Sequence, residues 1–234
     1  MTTVVNHRER PILFSAPMVR MLLAGTKTQT RRAVAMPRKR DSFVLVDLGN
    51  GWWPYQSDDG ESHSCDDGME YPYSCPYGQP GQRIWVREAF RLLDSFDGDS
   101  PSRVGERCID AGYRKEWAPL QFEADGERRD WMVVGTPTYP PQPPSAGKLR
   151  PSIHIPRWAS RITLEITDVR VERLQDISRG DAMAEGCPFP NMAKGDDPCK
   201  WYAQLWDQIN GAGAWDANPW VWAVSFKHIE GAKP

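Results

Sequence analysis

Apolar residues recur along this chain at two spacings, one typical of helices and one typical of strands. Met18, Met21 and Leu22 fall at i, i+3 and i+4, which predicts a short helix over 16–24 with one core-facing stripe. Apolar and polar residues alternate over 162–173, which predicts a half-buried strand. The chain therefore carries both helix-forming and strand-forming patterns.

Further segments carry the same two signals, together with capping residues. The patterns predict strands over 10–14, 84–89 and 220–227, and helices over 177–186 and 198–210. Ser178 with Asp181 is typical of a capping box, and Asp197 followed by Pro198 is a favourable N-cap and first helical position. These elements indicate a mixed α+β fold class.

Two long segments show no sustained periodicity. We interpret 33–80 and 94–147 as irregular insertions into a single domain over 10–229, and expect at least one of them to lie over residues 25–32. Short strand candidates within the insertions lie at 44–48, 52–55, 107–113 and 131–134. Residues 56–80 and 94–147 are expected to lie outside the core sheet, and deletion of 58–74 is expected to leave a folded protein.

The first helix is followed directly by a polar octet, Gly25–Arg32, which holds one lysine, three threonines and two arginines. Gly25 suits the position just after a helix end, so the octet leaves an ordered element. Arginine binds phosphate through planar, bidentate contacts, and a desolvated lysine can lose its proton and act as a base. A binding or catalytic segment and a solvated basic turn are equally compatible with this spacing.

Composition limits the classes of partner. The 234-residue chain has a net charge of −2 and a pI near 6.1, so it carries no global basic field, and any nucleic-acid contact must come from a local patch. One candidate patch consists of Arg31, Arg32, Arg38, Lys39 and Arg40. Five cysteines without regular spacing are typical of a reducing compartment, and no apolar run has the length of a membrane helix. We therefore expect a cytoplasmic protein with no membrane contact.

A metal site is the alternative interpretation of the first insertion, which contains His63, Cys65 and Cys75. The close ligand pairs typical of zinc sites are missing from this segment, and no fourth ligand is evident. The sequence therefore predicts neither a metal nor another cofactor.

Two pairs of aromatic and basic residues could form stacking surfaces for a base. Trp85 and Arg87 share one face of the predicted strand, and Arg157 lies beside Trp158. Burial of Trp85 in the core would remove it from this group.

The octet resembles the signature of the ASCH domain, a small β-barrel related to the PUA fold, in the form Gly25-x-Lys27-Thr28-x-Thr30-x-Arg32. Further blocks that resemble the family are Pro80–Glu88, Leu164–Val169, Ile177–Gly186 and Trp220–Lys227. The chain as a whole resembles ASCH-domain proteins of tailed phages and prophages. The resemblance implies a PUA-like barrel with flanking helices and, if the chain is phage-encoded, a location in the bacterial host cytoplasm.

Some proteins with this barrel hydrolyse the amide of N4-acetylcytidine with a lysine, a threonine and a glutamate. The resemblance places these roles on Lys27, Thr30 and Glu185, with Thr30 as nucleophile, Lys27 as base, and Glu185 orienting Lys27 or shuttling the proton. Glu185 also stands out without the resemblance, because a carboxylate in the last helical turn opposes the helix dipole. The expected substrate contacts are Thr28, Arg31, Arg32, Trp85, Arg87, Arg157 and Trp158.

Other relatives of this barrel bind RNA or DNA, or cleave RNA. The sequence thus supports two hypotheses. The first is an amidohydrolase for an N-acylated cytosine nucleoside or nucleotide. The alternative is a nucleic-acid-binding module, with or without ribonuclease activity. No obligate protein partner is indicated by either.

Overall fold

A computed structural model describes residues 9–35, 44–45, 55–56, 74–131, 144–188 and 197–229. The strands are β1 (Arg10–Leu13), β2 (Gln29–Ala33), β3 (Val44–Leu45), β4 (Tyr55–Gln56), β5 (Arg83–Arg87), β6 (Phe90–Arg91), β7 (Leu120–Phe122), β8 (Arg128–Arg129), β9 (Thr163–Arg173) and β10 (Trp220–His228). The helices are α1 (Ala16–Leu23), α2 (Pro101–Asp110), α3 (Arg179–Ala184) and α4 (Pro198–Asn210). The mixed α+β class predicted from the sequence is confirmed.

The principal sheet has the strand order β1-β5-β9-β10-β2. β1 pairs with β5 in parallel, whereas β10 pairs with β2 in an antiparallel register that sets Thr30 opposite Val224. Among the described residues the order runs from β1 to β2 without closing into a barrel. A second sheet has the order β6-β7-β8, and β3 pairs with β4.

The chain divides into two compact units. Among the described residues, the first unit is formed by parts of Ala24–Arg83 and of Glu165–Lys227. The second unit is formed by Glu9–Leu23, by most of Ile84–Leu164 and by the end of β10. β5 and β9 each pass from one unit to the other. The prediction of a single domain over 10–229 stays a prediction.

Capping residues fix the two helices of the first unit. The Ser178 hydroxyl accepts a hydrogen bond from the amide of Asp181, and Oδ1 of Asp197 accepts one from the amide of Cys199. Each cap satisfies an amide that has no partner within its own helix. The apolar faces of α3 and α4 then bury a core with β10, formed by Leu174, Ile177, Ala182, Tyr202, Trp206 and Val221. Both capped helices agree with the sequence prediction.

The second unit has an apolar core of its own. Its buried members are Trp85, Phe90, Leu92, Val104, Ala118, Leu120, Phe122, Ile155 and Ala159. One residue of α2, Val104, contributes to this core. Arg161 forms paired hydrogen bonds with the buried carboxylate of Glu88, and its guanidinium lies 4.0 Å from the ring centre of Phe122.

The structure corrects the prediction for the second insertion. Residues 107–113 were expected to form a strand, but 101–110 form α2, and 94–147 also contain β7 and β8. Ser100 caps α2 by accepting a hydrogen bond from Arg103, and Pro101 occupies its first turn. This cap and the proline favour a helix over the short apolar alternation that suggested a strand. In the first insertion, β3 and β4 overlap the strand candidates 44–48 and 52–55 and pair with each other. Residues 46–48, 52–54 and 132–134 of the predicted strands lie outside the described residues.

Helices of the described ranges are all too short or too polar to span a membrane.

Candidate functional site

Lys27 and Glu185, which the sequence placed in one site, form a buried ion pair in the first unit. Nζ of Lys27 lies 2.6 Å from Oε2 of Glu185, and the exposed fractions of the two side chains are 0% and 2%. A buried pair of opposite charges is held strongly only where further hydrogen bonds satisfy the remaining polar atoms. The pair is therefore best understood through its neighbours.

The end of α3 supplies part of that environment. Glu185 is the C-cap of α3, and Gly186 follows with a φ of 99°, a left-handed conformation that ends the helix. The last carbonyl groups of a helix have no partner within it. Here the carbonyl of Ala184 accepts a hydrogen bond from the amide of Thr28 at 2.8 Å, and that of Glu185 accepts one from Nζ of Lys27 at 2.9 Å. Lys27 thus also caps α3.

Arg31 brings a second positive charge to the same carboxylate. Its Nη1 lies 3.4 Å from Oε1 of Glu185 and donates a shorter hydrogen bond, 2.6 Å, to the amide oxygen of Gln29. The other side of the guanidinium contacts Glu172 through Nε at 2.9 Å and Asp181 through Nη2 at 3.3 Å. Arg31 therefore links carboxylates from β9 and α3 to Glu185.

These surroundings change the acid–base behaviour of the group. Burial lowers the pKa of Lys27, and the charges of Arg32 and Arg31 act in the same direction against the opposing effect of Glu185. Burial and the charge of the Glu185 carboxylate raise the pKa of Tyr202, so its hydroxyl stays protonated. For Lys27, burial is the largest of these effects, so Lys27 is more readily neutral than an exposed lysine.

Two further residues of the octet, Thr30 and Arg32, lie on β2. Side chains alternate along a strand, so Thr30 and Arg32 lie on the face opposite that of Gln29 and Arg31. Thr30 is buried and pairs with Val224 of β10, and Thr28 is exposed. The structure thus brings Lys27 and Glu185 together, whereas strand alternation directs Thr30 away from the face that binds Glu185.

The other predicted contacts belong to the second unit. Trp85 is only 6% exposed and is a core residue, so it is removed from the predicted ligand contacts. The guanidinium of Arg87 lies 4.9 Å from its ring centre and that of Arg157 lies 5.9 Å away. Both arginines therefore pack on the indole of Trp85.

Arg157 and Trp158 do share a surface groove of about 590 Å³. Glu9, Glu106 and Glu116 also line this groove, and Nε of Arg157 lies 2.7 Å from Oε2 of Glu9. The lining is therefore more acidic than the pair Arg157–Trp158 suggested. A phosphate-bearing ligand is disfavoured by that charge.

Arg31, predicted as a ligand contact, stays a prediction. It is 1% exposed, and its guanidinium is taken up by the carboxylates of its own unit. Sequence reasoning missed Glu172, Asp181 and Tyr202 as members of the site. Gln29 and Arg31 are two residues apart, and alternate positions of a strand share a face, so their spacing was a local signal that they lie together. The sequence around Glu172, Asp181 and Tyr202 carries no such local signal.

No group of three or more metal-binding side chains occurs among the described residues. Cys75 is buried, and His63 and Cys65 lie outside the described ranges. Comparisons with protein-family models, curated proteins and solved structures found no match to this chain.

Proposed function

We propose that this chain is an ASCH-type protein with a PUA-like fold that hydrolyses the amide of an N-acylated cytosine nucleoside or nucleotide. The observation that carries the proposal is the contact of 2.6 Å between Lys27 and Glu185, two residues selected by motif and far apart in sequence. The fold and substrate class of the proposal come from the motif resemblance. The acid–base role comes from the buried pair.

The proposed reaction adds water across the amide bond. The water oxygen bonds to the acyl carbon, the bond from that carbon to the exocyclic nitrogen breaks, and the two water protons end on the carboxylic acid and the amine. In this proposal neutral Lys27 accepts the first proton, and Glu185 orients the amine and assists the transfer to the leaving nitrogen. Water replaces Thr30 as the nucleophile, because β2 directs Thr30 to its other face.

Burial of the pair adds one requirement. Since the Lys27 side chain is 0% exposed, substrate binding must open the site before the amide can reach Nζ. The same burial supports catalysis, because a desolvated amine with a lowered pKa is neutral over a wider pH range. Substrate would then enter a site that excludes bulk water.

The nucleic-acid alternative has weaker support among the described residues. Arg31 and Arg157 are both engaged by carboxylates, so two of the arginines expected to contact phosphate are already neutralised. A nucleic-acid-binding surface requires uncompensated basic residues. Binding to oligonucleotides is nevertheless a separate outcome of the experiment below.

The test is hydrolysis of a panel of N4-acylcytidines, read by chromatography, by the unmodified protein and by Lys27→Arg. Arginine keeps the positive charge but cannot act as a base near neutral pH. We expect turnover by the unmodified protein and a loss of about 100-fold or more in Lys27→Arg, the typical contribution of general acid–base catalysis.

The matched control is Lys227→Arg, which alters an exposed lysine that also pairs with a glutamate, Glu165, at 2.7 Å. This variant should keep full turnover. Full activity in Lys27→Arg would overturn the mechanism. Salt-dependent binding of short oligonucleotides by the unmodified protein, with no hydrolysis of any acylcytidine, would support the alternative instead.

A further inference from the structure

The carboxylate of Glu185 is held from more than one side. Lys27 contacts Oε2, and Arg31 approaches Oε1. A carboxylate with donors at both oxygens cannot rotate freely. Its orientation toward Lys27 is therefore set in part by Arg31.

We propose that Arg31 is a positioning residue, which fixes Glu185 toward Lys27 while Glu172 and Asp181 limit how strongly it neutralises that carboxylate. The inference rests on the proposed function for its catalytic meaning. Its physical content concerns only the charges and contacts in the first unit, so it can be tested without a substrate.

The geometry separates two kinds of contact at Arg31. The contacts to Glu172 and Gln29 are short, 2.9 Å from Nε and 2.6 Å from Nη1, whereas Oε1 of Glu185 lies at 3.4 Å. Hydrogen bonds weaken steeply beyond about 3.2 Å between nitrogen and oxygen. The guanidinium is thus anchored by Glu172 and Gln29, and its effect on Glu185 is mainly orientation and charge.

The anchoring acids are themselves tied to the surface of the unit. Arg170 of β9 contacts Glu172 at 3.7 Å and Asp181 at 3.1 Å. Asp181 is further bound by the hydroxyl of Ser178 at 2.8 Å. These contacts hold the two carboxylates on the side of Arg31 away from Glu185. Arg31 therefore contacts Glu172 and Asp181 as well as Glu185, the partner of Lys27.

Removing a positive or a negative charge near Lys27 should shift its pKa in opposite directions. The largest charge effects on the pKa of Lys27 come from Glu185, Arg32 and Arg31. Removing the positive charge of Arg31 favours the charged form of Lys27, so its pKa should rise. Removing the negative charge of Glu172 leaves Arg31 less compensated, so the pKa of Lys27 should fall. A purely structural role of Arg31 does not produce shifts of opposite sign.

The experiment is a pH titration of the Lys27 signal by NMR on protein labelled with 13C-lysine, with the signal assigned by its loss in Lys27→Arg. We expect Arg31→Gln to raise the pKa of Lys27 by roughly one unit, and Glu172→Gln to lower it by a smaller amount, as expected for unit charges at short range. Shifts of the same sign in both variants, or no shift in either, would overturn the proposal.

Control variants are available in the same unit. Arg173→Gln removes a positive charge from β9 that is not among the largest influences on the pKa of Lys27, and Glu165→Gln removes a half-buried carboxylate. Neither should move the titration. If Arg31→Gln does not fold, Glu172→Gln still decides, because an unchanged or raised pKa of Lys27 in that variant would contradict the proposal.

The outcome is separable from the proposed function. Opposite shifts without hydrolysis of any acylcytidine would leave the positioning of Glu185 intact and remove the reaction. If hydrolysis does occur, Arg31→Gln should lower kcat with little change in KM, because Arg31 acts through Glu185. A change confined to KM would instead make Arg31 a substrate contact and overturn the positioning role.

Discussion

Lys27 shows how one residue can have two physical roles. Its amine donates to the backbone carbonyl of Glu185, which closes the end of α3, and it also contacts the side-chain carboxylate of the same residue. The first contact stabilises the fold, and the second sets the charge of the site. Because both contacts involve one nitrogen, substitutions at Lys27 must be tested for stability as well as for activity.

Thr30 provides a test of which hydroxyl attacks the amide. Thr30→Val keeps the shape of the side chain at a position that is 1% exposed and removes only the hydroxyl. We expect turnover close to that of the unmodified protein, because strand alternation directs this side chain away from the Glu185 face. Mass spectrometry of the protein after incubation with substrate tests directly whether Thr30 is the nucleophile. An acyl adduct on Thr30 that disappears in Thr30→Val would restore Thr30 as the nucleophile.

At the scale of elements, the helices of the first unit carry charged residues at their ends. The capping box of α3 places Asp181 beside Arg170 and Arg31 while its amide is satisfied by Ser178. A carboxylate in the first helical turn also interacts favourably with the helix dipole. The same residue therefore begins the helix and anchors the arginine that approaches Glu185.

Asp181 makes the stability of this element dependent on acid. Burial opposes ionisation, but hydrogen bonds from Ser178 and Arg170 and the charge of Arg31 lower its pKa to about 2. Since the folded value lies below the unfolded value of about 3.9, the stabilisation is present above that pH and is lost as pH falls toward 2. The full shift corresponds to roughly 2.5 kcal/mol, and solvent screening reduces the expected contribution to about 1 kcal/mol.

The corresponding measurement is urea unfolding of Asp181→Asn at pH 7 and near pH 2. Asparagine retains the cap, so the variant removes mainly the charge. We expect it to be less stable than the unmodified protein by about 1 kcal/mol at pH 7 and nearly equal at the lower pH. Asp216→Asn, at an exposed position of the same unit, is the control and should show no such difference. A constant deficit at both pH values would assign the effect to packing.

At the scale of the whole chain, local patterns predicted more than long-range arrangement did. The alternation of 162–173 and the caps at Ser178 and Asp197 correspond to β9, α3 and α4, because strand periodicity and helix caps depend on neighbouring residues. The helix α2 was missed, since a short apolar run is ambiguous between helix and strand.

The site shows the same division. Lys27 and Glu185 could be named from the sequence because a motif and an unfavourable charge at a helix end marked them. The partners Glu172 and Tyr202 carry no such mark, since their roles arise only where β2, β9 and α4 meet around the guanidinium of Arg31. Ion pairs between distant segments depend on tertiary packing, which local periodicity does not encode.

The central claim is that Lys27 is held in a state where it can act as a base. The most direct measurement is the pKa of its amine in the unmodified protein, followed by the pH dependence of its 13C signal. The account predicts a value below the ordinary 10.4, because burial and the charges of Arg32 and Arg31 outweigh the attraction of Glu185. A value at or above 10.4 would show that the ion pair dominates, and would contradict the role of Lys27 as a base.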